Sequence, residues 1–284
     1  MASLANFYTC TFRPAMAPMP PAEQARAVAA ALTGVRDRFD VVDLNTLPAD
    51  EPLYQALPTA LADAGMWHQA YEHFGNWYEA MPAEPDAYLA ARPSSLRNTV
   101  TRKGRRLARD GNARFEIARD RAALAPALAA YQRIYAASWK EPEPYPDFTA
   151  GLAHAAADAG ALRLGLCWID DQPAAAQLWL TQDGRATIFK LAYDERFKAA
   201  SAGSLLTWHM VRAAIVDDGV TEIDYGRGDH AYKRDWLDQR RARGGLLVFN
   251  PSTPAGWLSA ARHLGGVWLR RRLRGARADT PAND

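Results

Sequence analysis

The 284-residue chain is poor in cysteine and has no long apolar run. Its two cysteines, Cys10 and Cys167, are far apart, and their spacing matches neither a disulfide framework nor a zinc site. No uncharged apolar segment reaches the ~18 residues that a transmembrane helix needs, and the first residues lack the pattern of a secretory signal. We therefore expect a reduced, soluble, cytoplasmic protein with no transmembrane segment.

Several common signatures of catalysis are also missing from the sequence. There is no P-loop lysine motif, no dinucleotide-binding glycine fingerprint and no serine elbow of the Gly-x-Ser-x-Gly type. The best cluster of metal-ligand types is Asp224, Asp229 and His230, and no second histidine has a suitable spacing. The sequence thus gives no support to a P-loop, Rossmann or serine-elbow enzyme, and we expect no metal.

The charge is small overall but unevenly distributed. Lysine and arginine number 34 against 32 acids, a net charge of +2 that does not indicate a nucleic-acid or membrane partner for the whole molecule. One basic stretch, 97–114, falls on a helix predicted from Ser94 or Ser95 to Asp110, and it is either a solvated face or a phosphate-binding face. A second basic stretch, 270–277, covers the end of a helix predicted over 255–274 and continues past it. This helix either docks on the core or makes peripheral contact with a membrane.

The middle of the chain has the clearest secondary-structure pattern. Three β-rich runs, 161–169, 174–181 and 186–194, are separated by short turns rich in Asp, Gly and Pro, which predicts an antiparallel meander. A helix over 203–218 and a strand over 222–225 follow. We predict an α/β (in stricter usage α+β) fold with a mixed, mostly antiparallel sheet flanked by helices. Earlier in the chain, we predict a strand over 6–12 and another over 66–78 with a turn at Gly75-Asn76.

Small residues precede the predicted helix at 203–218. A helix N-terminus carries unpaired backbone N–H groups and a partial positive charge, so it can bind phosphate without a charged side chain. Residues Ala199 to Ser204 are small enough to let a diphosphate approach this backbone, and Lys198 adds a positive charge. Taken alone, such a loop is more often a simple turn.

The motifs around this loop make phosphate binding a more specific prediction. The stretch from Ser94 to Trp236 resembles the cellulose-biosynthesis-type (CelD-like) acetyltransferases, a branch of the GNAT superfamily related to the Fem aminoacyltransferases. The motifs that carry the resemblance are Ser94-Leu96-Arg97, Ser138-Trp139, Lys190-Leu191-Ala192-Tyr193-Asp194, Phe197, Ser201-Ala202-Gly203-Ser204-Leu205-Leu206, Glu222-Ile223-Asp224-Tyr225-Gly226, Gly228, Tyr232-Lys233 and Trp236.

The resemblance implies a GNAT fold in which an acyl donor lies in a gap between the strands that end near Tyr193 and begin near Glu222. It implies acyl-CoA, with an acetyl or longer acyl group, as co-substrate and no metal. The implied donor-binding residues are Leu191, Ala192, Lys198, Ser201, Ala202, Gly203, Ser204 and Leu205. Ser201 stands where the usual superfamily loop has its first glycine, which keeps an aminoacyl-tRNA donor as an alternative.

The resemblance also suggests a division of the chain. Residues 1–93 are expected to form a degenerate N-terminal GNAT-like half that shapes the acceptor site, in a tandem or pseudo-duplicated arrangement. Residues 94–250 are expected to form the acyltransferase core. Residues 251–284 are expected to form a basic C-terminal helix and a disordered tail.

Acyl transfer to an amine needs a neutral nucleophile, a polarised carbonyl and a proton for the leaving thiolate. Asp224 is the candidate for orienting or deprotonating the amine, although a structural carboxylate bonded to nearby backbone explains it equally well. Tyr193 is the candidate for protonating the thiolate, with packing as its alternative role. Backbone N–H groups near Leu191–Tyr193 could form an oxyanion hole. The predicted acceptor-binding residues are Arg227, Asp229, His230, Lys233 and Trp77.

The sequence therefore predicts an N-acyltransferase that moves an acyl group from acyl-CoA to an amine. The expected acceptor is a small molecule or a peptide, namely an amino-sugar or other cell-surface precursor, or a modified peptide. Two alternatives stay open: an aminoacyl-tRNA-dependent Fem-like transferase, whose tRNA would contact the basic helix, and a non-catalytic GNAT-fold binding module. The acyl chain length, N- versus O-acylation and the oligomeric state are not determined by the sequence.

Overall fold

The computed structural model describes residues 1–2, 5–110 and 113–265. The chain forms two compact units, one made of residues 1–76 with the segment from 241 onward, the other of residues 77–240. The division predicted at residues 93 and 250, and the tandem arrangement, stay predictions. The basic cluster at 270–277, the last part of the helix predicted over 255–274 and the predicted disordered tail lie outside the described residues.

The first unit combines two long helices with strands near both of its sequence ends. Prolines in the first turn pre-set the backbone of both helices. Its strands follow the order β1-β8-β2, and buried side chains such as Leu61 and Val248 form its core. The elements are α1 (Pro21–Gly34), a 3₁₀ turn (Arg36–Arg38), β1 (Val41–Pro48), α2 (Pro52–Asp63), β2 (Trp67–Ala80), β8 (Gln239–Phe249) and a helix over 254–265.

Two predictions for the first unit are wrong. Residues 6–12 form turns instead of a strand, because Asn6 accepts a hydrogen bond from Tyr8 N through its side chain and one from Thr9 N through its carbonyl. The predicted turn at Gly75-Asn76 is absent, and β2 runs through it. Asn76 is buried, and its Oδ1 accepts hydrogen bonds from Arg241 and Arg243, so this polar side chain is satisfied inside the sheet.

The second unit contains the meander. Strands β4 to β6 form the predicted antiparallel meander, and β3 pairs antiparallel with β4. β6 pairs parallel with β7, and the strand order is β2-β7-β6-β5-β4-β3. Its helices are α3 (Pro85–Ala90), α4 (Ser94–Asp110), α5 (Arg121–Ala136), α6 (Pro146–Asp158) and α7 (Ala202–Val216). Its strands are β3 (Ala113–Ala118), β4 (Leu162–Ile169), β5 (Gln172–Gln182), β6 (Arg185–Tyr193) and β7 (Glu222–Asp224), with 3₁₀ turns at Glu195–Ala200 and Ala231–Asp235.

Helices cover both faces of the sheet in the second unit. Side chains of α7, including Leu206 and Met210, pack in one buried cluster with Trp179. Side chains of α5, including Leu124 and Ile134, pack in a second cluster with alternate residues of β4 and β5, as the period of two in a strand requires. The predicted α/β fold, a mixed and mostly antiparallel sheet flanked by helices, is confirmed.

The helices are short or polar compared with a membrane span. Within the described ranges, none is both long enough and apolar enough to cross a bilayer.

Candidate active site

The two parallel strands of the second unit separate soon after they meet. β6 and β7 pair only from Arg185 to Thr187, opposite Glu222 to Asp224. β6 continues to Tyr193 while it stays paired with β5 on its other side. A β-bulge lies at this point, because Trp179 pairs with Ile188 and Leu178 pairs with Lys190, which leaves Phe189 as an extra residue. The result is a gap along one edge of β6.

The chain after β7 turns sharply away from β6. Gly226 and Gly228 have φ values of 58° and 96°, a region that residues with a side chain rarely adopt. Asp224 Oδ1 accepts a hydrogen bond of 2.6 Å from Gly226 N. The buried Lys233 Nζ donates to the carbonyls of Tyr225, Arg227 and Gly228 at 2.7–3.0 Å. A carboxylate and an ammonium group thus fix this turn from inside.

A cavity of about 430 Å³, which we call the α7 cavity, lies beside this gap and reaches the first turn of α7. This volume is in the range of small-molecule and cofactor sites. Five of the predicted donor or catalytic residues line it: Leu191, Ala192, Tyr193, Gly203 and Ser204. Ten further residues complete its wall: Ser95, Leu96, Thr99, Trp139, Gln177, Thr207, Tyr225, Tyr232, Asp235 and Trp236.

The first turn of α7 is open to an anion. Ser201 precedes the helix in a left-handed conformation, with φ 58° and ψ 37°, and its side chain makes no capping bond to the helix. Instead, Ser201 Oγ and the carbonyl of Ala199 accept hydrogen bonds of 2.8 and 2.6 Å from Lys103 Nζ of α4. The first N–H groups of a helix have no intrahelical partner, and here an ammonium group lies beside them. This combination attracts negative charge.

A buried polar network supports the same turn from below. Gln177 Nε2 donates to Thr207 Oγ1 at 2.6 Å and to the carbonyl of Gly203 at 3.3 Å. Gln177 Oε1 accepts from Trp179 Nε1 at 2.8 Å, and Thr207 Oγ1 also donates to Gly203 O at 2.9 Å. Because unpaired polar groups are costly in a core, the network holds α7 and β5 in one arrangement.

Gly203 packs directly against Tyr193. A Cβ atom added to Gly203 would lie 3.4 Å from Tyr193 Cδ1. Tyr193 is also in ring contact with Trp139, with centroids 4.5 Å apart. A large side chain at Gly203 would therefore enter the α7 cavity.

A smaller cavity of about 190 Å³, which we call the cationic cavity, adjoins the α7 cavity. The two share wall residues, among them Leu191, Tyr225 and Tyr232. Three of the predicted acceptor-binding residues line it: Arg227, His230 and Lys233. Lys140 and Lys190 line it as well. All four charged side chains in its wall are therefore positive, while most of the other wall residues are aromatic or apolar.

Other predicted residues lie elsewhere. Lys198 is exposed on the 3₁₀ turn before α7, and neither Ser201 nor the two buried residues Ala202 and Leu205 line the α7 cavity. Trp77 Nε1 donates to Asp229 Oδ1 at 2.7 Å, and neither residue lines the two cavities.

Asp224 is buried and bonded to Gly226 N, and it lines neither cavity. This geometry suits the structural role that was considered for it, and its catalytic role stays a prediction.

Two tyrosines at the site keep their protons. Burial raises the pKa of Tyr225 well above its ordinary value and raises the pKa of Tyr232 to about 12. Both side chains are therefore neutral phenols near pH 7, able to donate a hydrogen bond or a proton. Tyr232 is 41% exposed and lies in the wall of both cavities, so a ligand can reach it.

The sequence predicted this site only in part. Gln177, Thr99 and Thr207 were missed because they lie on regular elements where nothing but the tertiary fold brings them together. Trp139, Tyr232 and Trp236 belong to the motifs that carry the family resemblance, and those motifs could have identified them. Within the described ranges, no group of three metal-ligating side chains is close enough to hold an ion.

Comparison with known proteins concerns the second unit above all. Residues 94–234 match the family model described as an acetyltransferase (GNAT) domain. The comparison with curated proteins finds no similar sequence.

Several solved structures share the fold. FemX is 12% identical, with a TM-score of 0.60 over 81% of this chain and 78% of FemX. The C-terminal domain of a proposed lysylphosphatidylglycerol synthetase from Agrobacterium fabrum is 14% identical, with a TM-score of 0.55 over 84% and 77%. L-PGS from Bacillus licheniformis is 10% identical, with a TM-score of 0.53 over 80% and 73%. Identities this low establish likeness of fold alone. Residues 94–234 thus match a GNAT acetyltransferase domain, and the protein is an acyltransferase.

Proposed function

We propose that this protein transfers an acyl group from acyl-CoA to an amine, as a member of the CelD-like branch of the GNAT superfamily. The observation that carries the proposal is the α7 cavity, which joins the gap beside β6 to the open first turn of α7. A coenzyme A thioester matches this arrangement, because its pantetheine arm separates the diphosphate from the reactive carbonyl.

The diphosphate would lie at the start of α7. Backbone N–H groups of Ala202, Gly203 and Ser204 are in the turn that lacks intrahelical partners. Lys103 lies beside them, and exposed arginines continue along α4. The pantetheine arm would follow the unpaired edge of β6, whose backbone groups need hydrogen-bond partners when they are covered.

The thioester would lie where the two cavities meet. Backbone N–H groups at Leu191–Tyr193 are the candidate oxyanion hole. Tyr193 and Tyr232 are the candidate acids for the leaving thiolate, because both line the cavity and Tyr232 is a neutral phenol near pH 7. Asp224 is retained as a candidate for orienting the amine, either directly or by fixing the turn at Gly226.

The acceptor would enter the cationic cavity. Arg227, His230 and Lys233 lie in its wall, and they are the proposed acceptor-binding residues. Lys233 would act through its charge alone, because its three N–H groups already bond carbonyls. An amino-sugar or other cell-surface precursor, or a modified peptide, fits the CelD-like assignment. Trp77 and Asp229 would act through the hydrogen bond that joins them.

Two other functions make different predictions. An aminoacyl-tRNA-dependent transferase would use the basic face of α4 as its RNA contact, a possibility to which the fold likeness to FemX draws attention. The binding of aminoacyl-tRNA to this protein would then weaken strongly as the salt concentration rises. A non-catalytic module would bind an acyl thioester without turnover.

The first experiment measures thermal unfolding of the full chain with acetyl-CoA, longer acyl-CoAs, free CoA and no ligand. A ligand that binds only the folded state stabilises it by about 2.7 kcal/mol at a hundredfold excess over its Kd. We expect Gly203→Phe to remove this shift by filling the α7 cavity. Gly151→Phe is the matched control, because Gly151 is an exposed helical glycine with nothing within 4 Å of an added Cβ.

The outcomes separate the three functions. A shift with acyl-CoA that is lost in Gly203→Phe and kept in Gly151→Phe supports the proposal. Thiol release in the presence of an amine distinguishes the enzyme from the module. Absence of any shift, together with salt-sensitive binding of aminoacyl-tRNA, would refute the acyl-CoA donor and favour the Fem-like reaction.

A further inference from the structure

A third cavity, of about 470 Å³, lies between α5, α6 and the segment that joins them, and we call it the α6 cavity. Apolar side chains such as Leu128 and Ala150 form much of its wall. No residue of the predicted site lines it. Its size is again that of a small-molecule site, so its polar groups indicate what it can bind.

Lys140 is the first of these groups. It lines both the α6 cavity and the cationic cavity, so the two meet at its side chain. Its Nζ lies 5.9 Å from the ring centroids of Tyr135 and Trp139. In the part of the chain that the structure describes, this ammonium has no ion-pair partner.

The acid whose charge acts on Lys140, Glu143, already has a partner. Glu143 Oε1 accepts a hydrogen bond of 2.7 Å from Lys190 Nζ, and both side chains are close to fully buried. Burial, with a smaller contribution from the charge of Lys190, lowers the pKa of Lys140 to about 8 although Glu143 acts in the opposite direction. Lys140 is still largely charged at neutral pH, and an anion beside it would compensate that charge.

Thr149 is the second group. It is 4% exposed, and its Oγ1 has no hydrogen-bond partner among the described residues. It lines the α6 cavity together with Lys140. Buried hydroxyls are nearly always satisfied, so this hydroxyl is available to a polar atom of a ligand in the cavity.

We infer that the α6 cavity binds the acceptor of the reaction, and that this acceptor is an amine with an apolar body and an anionic group, held by Lys140 and Thr149. The inference rests on the proposed function, because the acceptor role depends on a donor in the α7 cavity. The anion can be a carboxylate or a phosphate ester, since both accept hydrogen bonds from an ammonium and a hydroxyl group. The amine would extend past Lys140 into the cationic cavity, toward the thioester.

The test uses three hexyl probes that share one apolar chain: hexanoate, hexyl phosphate and 1-hexanol. Their binding to the full chain is measured by isothermal titration calorimetry. We expect at least one anion to bind at least tenfold more tightly than the alcohol, and the tighter anion identifies the acid group. Lys140→Met and Thr149→Val should reduce the preference for the anion and leave the affinity for 1-hexanol unchanged.

Arg133→Met is the control, because it removes an exposed positive charge from α5 outside the α6 cavity, and it should keep the preference. Equal binding of all three probes, no binding, or a preference that survives in Lys140→Met would overturn the inference. Thermal shift with acetyl-CoA and the longer acyl-CoAs on the same samples separates the two proposals. A CoA shift without anion binding rejects the acceptor site alone, while anion binding without a CoA shift rejects the proposed donor and, with it, the acceptor role.

Discussion

A buried ion pair beside the α7 cavity gives the sharpest test of the structure. Arg92 and Glu79 are 5% and 8% exposed, and Arg92 Nη2 lies 2.5 Å from Glu79 Oε1. Arg92 Nη1 also donates to the carbonyl of Trp236 at 2.6 Å, and Tyr88 OH donates to the same carbonyl. Glu79 Oε2 accepts from Asp238 N at 3.2 Å. The pair therefore fixes the segment that carries Trp236 into the cavity wall.

Arg92→Leu would leave the Glu79 carboxylate buried without its cation. Removing one partner of a buried pair typically costs about 3–5 kcal/mol of folding free energy. For a unit the size of residues 77–240, each kcal/mol lowers Tm by roughly 2–4 °C, so we expect a fall of about 6–20 °C. Arg121→Leu removes an arginine from the exposed pair with Asp158 and should change Tm little.

The pH dependence of this loss gives a second check. Burial raises the pKa of Glu79 above its ordinary value of 4.5, and Arg92 opposes that rise. Without Arg92 the pKa rises further, so the folded variant binds a proton that the unfolded chain does not. The difference in unfolding free energy between the two proteins should therefore shrink as pH falls from 8 to 5.

Urea unfolding followed by circular dichroism measures both quantities. A loss below about 1 kcal/mol at pH 8, within the range of exposed pairs, would refute the assignment of this pair as buried and essential. A loss of unfolding free energy that stays the same from pH 8 to pH 5 would refute that assignment as well.

Three further predictions concern the site. Gln177→Leu leaves the buried N–H of Trp179 without its acceptor, so urea unfolding should show a loss of about 1–3 kcal/mol; an unchanged midpoint would contradict the network. Tyr232→Phe should lower kcat by tenfold or more and leave acyl-CoA affinity unchanged if this phenol protonates the thiolate, and unaltered turnover would exclude that role. Because the pKa of Lys140 is about 8 in the folded state, the unfolded chain holds this proton to higher pH, and the stability of the natural protein relative to Lys140→Met should rise from pH 8 to 10.

Local signals predicted much of the second unit. The turns at 170–173 and 182–185 identified the meander, and the small residues around Gly203 identified the start of α7. These features are formed by residues that are close together in the sequence, so one sequence is enough to recognise them. Asn76 shows the limit of such reasoning, because its partners Arg241 and Arg243 lie some 165 positions away.

The candidate site was less predictable for the same reason. The α7 cavity combines residues of α4, β5, β6, α7 and the segment after β7. Gln177 lies in a strand of mostly apolar residues and has no local signal of a ligand-binding role. The α6 cavity was not predicted at all, because Lys140 and Thr149 gain their importance only from a tertiary setting that, among the described residues, offers Lys140 no ion pair and Thr149 Oγ1 no hydrogen bond.

The extra residue in β6 has a consequence for how this protein can change. Phe189 and Lys190 are consecutive, yet the bulge lets both face the side of the sheet that α6 covers. There Phe189 contacts Phe148 of α6, and Lys190 bonds Glu143 in the segment before that helix. Deleting Phe189 would restore regular alternation, because Lys190 would follow Ile188 opposite Leu178 and Tyr193 would keep the face that it has now. The loss would be confined to the bulge and to the ring contact of Phe189 with Phe148. Deleting a residue between Lys190 and Tyr193 would instead reverse the facing of those that follow it. An alignment of functional homologues should therefore place a single-residue gap in this strand at Phe189 and not beyond it.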